Sequence, residues 1–593
     1  MRILIFILLV TVASTLVVGQ PFQLLWREEY PLPGCIMDVV FQDRMIYVAV
    51  DALNGLTHYG VILAYDVNGT LVWNRTIVFW VPGPTSIPVP ILVENYLTSI
   101  YFEGGYLYAT VYARLEEDYD VWLIKIDPHD GRILGEWATG WDGMDEMAYD
   151  LLVEGRFAWI AGEVQYEVEG LLETDAALFR FDLEESRWGW FTVLGEDNID
   201  EKAFRIAKDR CNIYLMCSRG TFLPTEKVLV KFSACTPDPI VVWNVTLTLE
   251  EDIPDLDVEG GYLYLLESAL FEPGPISIYK YDENGLEVWS RSWSILGFGM
   301  DLHAVKWGEG ARVYIAAVTR VFGTEDCMLV EYREGGPYGA DGRWSYEIVE
   351  TEESNEGGFN MYFDSGLIAV AGVKEYYCPL LMLLKEDLNL SDFPWLFTSD
   401  AAFIIGDTGG HGPYGFGART VDVVGAIGVA SAVSSATGAG SAQLLDTRVS
   451  SYSSSVSVDW STLPYTNLVV VGGPGVNTLS LYYNGSSPFP WLYKPGVESC
   501  IYSTISGLKY RSGYRRHDYA VIWLHYDESN YRNVLVVWGL SGWGTQAACH
   551  VLQHYQEYSD LLRGSAVLIK WTNTNNNYMV DSGDEFELIE HWP

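Results

Sequence analysis

The chain has 593 residues, 49% of them apolar, with a formal net charge of −43. Length and apolar content are enough for several folded domains and exclude a disordered polyelectrolyte. The charge excludes a nucleic-acid partner, whose phosphates it would repel, and suits a protein kept soluble in salt or one that collects divalent cations.

In chain order, "MRILIFILLVTVASTLVVGQ" reads as a secretory signal over residues 1–19, cut before Gln20: Arg2, an apolar run, then small and β-branched residues. The competing reading is an uncleaved N-terminal anchor, for which the run is short. No second stretch of spanning length and no C-terminal anchor are expected, so the mature chain is expected in the envelope without a membrane helix of its own.

Residues 21–390 carry an internal repeat. Seven apolar segments, "RMIYVAV" (Tyr47), "GYLYATV" (Tyr108), "RFAWIAG" (Trp159), "CNIYLMC" (Tyr214), "GYLYLLE" (Tyr264), "RVYIAAV" (Tyr314) and "GLIAVAG" (Ala369), recur at intervals of 50 to 61 residues. Hairpins repeat after them, such as "LAYDVNGTLVW" and "YKYDENGLEVW", whose Asn-Gly tips are strong turn signals. Four-stranded units at this period predict a seven-bladed β-propeller. The last unit, ending at 381–388, lacks a fourth strand, and "QLLWREEY" (23–30) has that pattern with no unit before it. The N-terminal strand is therefore expected to close the ring, removing two sheet edges.

A tryptophan precedes an acid by twelve positions five times: Trp26 and Asp38, Trp188 and Asp200, Trp243 and Asp255, Trp289 and Asp301, Trp344 and Glu356. The interval suits a crossover from the outer strand of one blade to the inner strand of the next. Asp38, Asp200, Asp255, Asp301 and Glu356 are then expected around one mouth of the channel. Such carboxylates can hold Ca²⁺, or they can accept hydrogen bonds from backbone amides of the neighbouring blade. The connections after Trp73 and Trp137 are irregular, the first lengthened by "VPGPTSIPVP". The "YDxNGxxxW" hairpin resembles that of quinoprotein-like propellers, a pattern that noncatalytic propellers share. The vicinal cysteines of the quinone enzymes are absent here, and no cofactor is assigned.

Beyond residue 400 apolar strands alternate with helices and Gly-rich loops, which predicts an α/β domain over 400–593 with a mainly parallel sheet. "GLSGWGT" (539–545) follows a strand and precedes a helix but lacks a P-loop lysine and dinucleotide spacing, so it reads first as a tight turn. His411 and Ser541 do not build a G-x-S-x-G hydrolase motif. "LVVVGGPGVN" preceded by "PYTN", "DYAVIWLHYDESNYRNVLVVWGLSGWGTQAA", and upstream "HGPYGFGARTVDVVGA" resemble the α/β domain of archaeal surface-layer (S-layer) proteins. The resemblance covers about residues 400–593 and implies a cell-envelope glycoprotein that forms or docks on a lattice. The C-terminal anchor of many lattice-forming members is missing, which favours a lattice-attached protein.

Eight cysteines form no CxxC pair. Cys211 with Cys235, which bracket one hairpin, and Cys500 with Cys549, the only two in the second domain, are the disulfide candidates of an exported chain. Cys35 with Cys378 is a weaker third pair. Asn68, Asn74, Asn244, Asn389 and Asn484 head N-x-S/T sequons. Together these features give the expectation of a noncatalytic, secreted surface protein, with lattice or other envelope proteins, glycans and divalent cations as its partners. The alternative is a secreted propeller enzyme or solute-binding protein acting at the channel mouth.

Overall fold

The computed structural model describes residues 22–592 apart from 31–32, 43, 56, 83–87, 92–93, 115–117, 142, 169, 196–198, 221–225, 235–238, 248–251, 269–273, 308–309, 320–325, 335–342, 350–355, 365–366, 375–377, 387–388, 398–400, 439, 464–466, 514, 528 and 531. The segment read as a secretory signal thus lies outside the described residues. The chain forms two compact units, one reaching Lys385 and one running from Glu386.

The first unit is almost entirely β. Gly34–Gln42, Met45–Asn54, Thr57–Asp66 and Leu71–Thr76 form one antiparallel sheet in sequence order. Asn95–Glu103 to Ile133–Thr139, Asp145–Glu154 to Arg187–Leu194, and Glu201–Asp209 to Ile240–Leu247 form three more of the same design. A seven-stranded sheet follows, from Asp252–Glu259 to Arg343–Val349. Its middle strand, Glu287–Trp307, is 21 residues long, so Trp289 and Asp301 lie on one unbroken strand. In the last sheet, Phe22–Glu29 pairs beside Cys378–Glu386, followed by Leu367–Lys374 and Glu356–Asp364.

The seven apolar segments of the repeat are the second strands of these units. Their aromatics are buried because they pack against strands of the unit that follows. Tyr47 joins Leu107 and Ala109, Trp159 joins Ile213 and Leu215, and Tyr264 joins Val313 and Ile315. Covered on both faces, these strands are apolar at successive positions rather than at alternate ones. The repeated tryptophans also tie sheet to sheet. Trp73 Nε1 donates to the Pro128 carbonyl (2.9 Å) and Trp243 Nε1 to that of Glu283 (3.2 Å), each in a turn of the next sheet. The Asn-Gly hairpin turns are fixed locally: Asp66 Oδ1 accepts from the amides of Asn68 and Thr70, Asp282 Oδ1 from those of Asn284 and Leu286. Gly69 and Gly285 supply the positive φ that completes them.

The second unit is built on a sheet in the order Ser441–Leu445, Ala401–Ile405, Asn467–Val471, Arg532–Gly539, His517–Asp527, Ala566–Thr572, Glu585–Trp592. The first four strands are parallel and the other pairings antiparallel, so the sheet is mixed rather than mainly parallel. The reason is the connection from Asp527 to Arg532, which is too short for a crossover and permits only a hairpin. The helices Thr420–Thr437 and Gly542–Gln553 cover one face, the helix Thr478–Asn484 and a small sheet (Trp491–Lys494, Glu498–Tyr502, Lys509–Tyr510) the other. Thr420–Thr437 is long and apolar enough to cross a membrane by composition, but Ala426, Val429 and Val433 are buried in the core of this unit.

The expected bridge between Cys500 and Cys549 does not form, and both are free thiols. Cys549 belongs to the core beneath the two long helices, while Cys500 sits in the small sheet on the opposite face. Cys35 is also free, and the side chain of Cys378 lies outside the described ones. Cys211 is disulfide-bonded. Cys235 lies outside the described residues; its neighbour Ala234 donates its amide to the Cys211 carbonyl at 2.7 Å.

Candidate functional site on the innermost strands

In five sheets of the first unit the first strand carries a bulge, and four of the five residues just after it are charged. The bulges fall at Ile36/Asp38, Leu97/Ser99, Ala148/Asp150, Ala203/Arg205 and Asp252/Asp255. An extra residue turns the next side chain onto a new heading. The equivalent positions are therefore Asp38, Ser99, Asp150, Arg205 and Asp255, continued by Asp301 on the long strand.

Each acid reaches across to a strand later in the chain and accepts from its backbone. Asp38 Oδ2 accepts from the Ile100 amide (2.8 Å), Asp150 Oδ2 from Ile206 (2.9 Å), Asp255 Oδ2 from Leu302 (2.9 Å) and Asp301 Oδ2 from Met361 (2.5 Å). The acceptor always meets the residue that follows an equivalent position, which places Asn360 in the same series. Ser99 Oγ lies between Asp38 Oδ2 (2.7 Å) and Asp150 Oδ1 (3.3 Å). Arg205 Nε donates to Asp255 Oδ1 at 2.9 Å. The remaining Oδ1 atoms of Asp38 and Asp150 accept from the amides of Val39 and Leu151.

Electrostatics follow from this crowding. Burial pushes Asp38 up to about 7, partly offset by the Ile100 amide and the Ser99 hydroxyl. Burial also raises Asp150 and, more strongly, Asp301, which additionally faces and hydrogen-bonds Asp255. Burial works to lower Arg205, but Asp255, Asp150, Asp301 and Asp38 together raise it, so one guanidinium serves four carboxyls. One layer along, His303 stacks on Tyr362 (5.8 Å between centroids) and pairs with Asp257 at 3.2 Å. Asp257 also accepts from the Ala304 amide. Nearer the strand starts, burial beside Asp120 and Asp118 pushes Glu146 up to about 8.

Of the five acids expected together, the structure assembles Asp38, Asp255 and Asp301. Asp200 precedes the strand Glu201–Asp209 and is joined to Gly220 through its backbone carbonyl. Glu356 opens the strand Glu356–Asp364, four residues ahead of Asn360, and its side chain lies outside the described ones. Asp150, Arg205 and Ser99 are the members that sequence reasoning missed. No group of three or more His, Cys, Asp or Glu side chains is arranged to hold a metal ion among the described residues.

In the second unit two buried carboxylates organise the strand ends. Asp518 Oδ2 accepts from the Ser541 amide (3.1 Å), the Ser541 hydroxyl (2.5 Å) and the Gly544 amide (2.9 Å). The start of the helix Gly542–Gln553, where a phosphate would sit, is thus filled by the chain's own carboxylate. Asp446 Oδ1 accepts from the Asp407 amide (2.8 Å), and its Oδ2 from the amide (2.6 Å) and hydroxyl (2.9 Å) of Thr478. His411 Nε2 meets the same Oδ2 at 2.7 Å, and its Nδ1 meets the Gly409 carbonyl at 2.7 Å. Because both ring nitrogens face acceptors, the site favours the imidazolium form of His411. Burial works to lower its pKa, but those two hydrogen bonds and the charges of Asp446 and Asp407 raise it. Ser541 and His411 are therefore each committed to a different aspartate.

No protein-family model matches the chain, and no curated protein matches it. Among solved structures, BBS1N in complex with ARL6DN aligns at 7% identity over 62% of this chain and 98% of that one, with a TM-score of 0.38. A subtype N10 neuraminidase-like protein of A/little yellow-shouldered bat/Guatemala aligns at 8% identity over 55% and 100% (TM-score 0.33). A Synechocystis apocarotenoid oxygenase aligns at 12% over 52% and 74% (TM-score 0.33). At these scores the likenesses carry no inference about what the chain does.

Proposed function

We propose that the chain is a noncatalytic secreted protein of the cell surface, a seven-bladed propeller joined to an α/β domain and attached to an S-layer-like lattice. In this reading Phe22–Glu29 closes the ring as the fourth strand of the last blade. The observation that carries the noncatalytic part is the use of the inner-strand carboxyls. The oxygens of Asp38, Asp150 and Asp255 are engaged by backbone amides, Ser99 or Arg205, and Asp301 by the Met361 amide and Asp255. Groups so engaged tie blade to blade and hold no oxygen ready for a substrate or for Ca²⁺ without rearrangement.

The surface reading draws support from the acidic excess, the apolar N-terminal segment and the sequons. Asn74 and Asn244 are exposed on outer strands, Asn68 in a hairpin turn. Asn389 and Asn484 are engaged instead: Asn389 accepts from the Ser391 amide, and Asn484 pairs twice with the Trp491 backbone. The test is fractionation of the native host with antibodies to the chain, combined with Ca²⁺ calorimetry on chelator-stripped protein. Co-purification with envelope sheets and no heat from Ca²⁺ support the reading. A chain found only free in the medium sinks the surface role, and tight Ca²⁺ binding abolished by Asp38→Asn returns the acids to cation binding.

A further inference from the structure

The helix Asp446–Val449 and the hairpin Ser450–Tyr452/Val456–Val458 line an open cleft of about 410 Å³ in the second unit. It lies where the edge strand Ser441–Leu445 ends, on the carboxyl side of the parallel strands, where open α/β sheets commonly bind ligands. Its floor is held rigidly. Thr447 Oγ1 donates to Asp407 Oδ2 (2.9 Å), Ser450 Oγ donates to the Asp446 carbonyl (2.9 Å), and Asp446 is clamped by Asp407, Thr478 and His411. Preorganisation of this kind lowers the cost of binding.

What remains free is polar and of one kind. Ser451 and Ser457 are cross-strand partners in the hairpin, so their exposed hydroxyls share a face. Arg448 is exposed on the cleft and makes no ion pair among the described residues, despite the chain's net charge of −43. Asp459 closes the other side, its Oδ1 engaged by Ser461. A guanidinium fork pairs bidentately with an oxyanion, and serine hydroxyls and a carboxylate pair with ring hydroxyls.

We propose that this cleft binds a sugar ring bearing an oxyanion, a uronate or sulfated residue, with Arg448 on the anion and Ser451, Ser457 and Asp459 on the hydroxyls. The site stands on the second unit alone, so its failure would leave the propeller reading untouched. The experiment is titration of the full secreted chain with glucuronate, glucose 6-sulfate, inorganic sulfate and glucose, followed by NMR or calorimetry. Saturable binding of one or both acidic sugars, weakened about tenfold or more in Arg448→Ala and severalfold in Ser457→Ala, is the expected result. Arg448→Lys should retain part of the affinity, because it keeps the charge and loses the fork. Unchanged melting of Arg448→Ala separates lost binding from lost folding. Inorganic sulfate binding as well as the acidic sugars would overturn the sugar assignment. Equal binding by wild type and Arg448→Ala, or no saturable binding of either acidic sugar, would overturn the site.

Discussion

Replacing Asp446 by Asn should unlock the second unit. The carboxylate is fully buried and receives four donors, from Asp407, Thr478 (two) and His411. An amide keeps one acceptor for Asp407 and turns an NH₂ toward the Thr478 amide and the His411 imidazolium, so donors face donors. Breaking a buried ion pair by removing one partner costs about 3–5 kcal/mol. For a unit of this size that lowers its melting by about 6–20 °C, at about 2–4 °C per kcal/mol. Calorimetry of the full chain, with hydrogen exchange at Ala401–Ile405 and Asn467–Val471 to assign the transition, reads the effect. The wild type adds a pH signature. His411 holds its proton more tightly folded than unfolded, so its contribution is complete below the unfolded pKa of about 6.5 and is lost as pH rises through the raised folded value. Asp518, pushed up to about 6 by burial, acts below that window. A loss under about 1 kcal/mol, or an alkaline limb unchanged in His411→Gln, would refute the clamp, since surface substitutions cost that little.

Other expectations concern the first unit and the covalent chemistry. Because Asp38 and Glu146 are pushed up to about 7 and about 8, the folded state binds protons that the unfolded chain has released, and the unit should gain stability from pH 8 to pH 5. Denaturant midpoints at the two pH values check this, and Asp38→Asn should flatten part of the slope. Arg205→Met leaves four carboxyls without their cation and should cost about 3–5 kcal/mol at pH 8, less at pH 5. Alkylation of the unfolded, unreduced protein should label Cys500 and Cys549 and spare Cys211, by intact mass and peptide mapping. Asn74→Gln and Asn244→Gln should remove glycan mass from the native protein, whereas Asn484→Gln should leave mass unchanged and destabilise by about 1–3 kcal/mol through the lost Trp491 contacts.

Features encoded locally were legible in the sequence. The Asp-x-Asn-Gly turns could be read because Asp66 and Asp282 build them from their own side chains. Second strands could be read because covering on both faces demands an apolar run. Features set by partners distant in sequence were harder. The strands at 517–527 and 532–539 look alike in composition, and only the length of the segment between them decides that they are antiparallel. Cys500 and Cys549 had no competitors in their domain, yet a sheet separates them. The clamp at Asp446 joins three segments that share no motif.

The inner acids show most clearly why a periodic signal can mislead. Counting from the outer-strand tryptophan crosses a connection between sheets, and connections vary in length. Arg205 lies seventeen residues after Trp188 and Asn360 sixteen after Trp344, so the twelve-residue rule lands on Asp200 and Glu356 instead. Counting back from the second-strand aromatic crosses only one hairpin. Asp38, Ser99, Asp150, Arg205 and Asp255 each lie nine residues before Tyr47, Tyr108, Trp159, Tyr214 and Tyr264, and Asn360 lies nine before Ala369. The interval holds because the turn and the bulge fix the register: Asp38 faces Ala49, Asp150 faces Ala161 and Arg205 faces Met216. Asp301 is the exception, thirteen before Tyr314. A hairpin's register is constrained by hydrogen bonds at every step, while a crossover need only span a distance. Alignment on the hairpin therefore recovers Asp150 and Arg205 from sequence, and with them a group of four acids around one arginine that alignment on tryptophan hides.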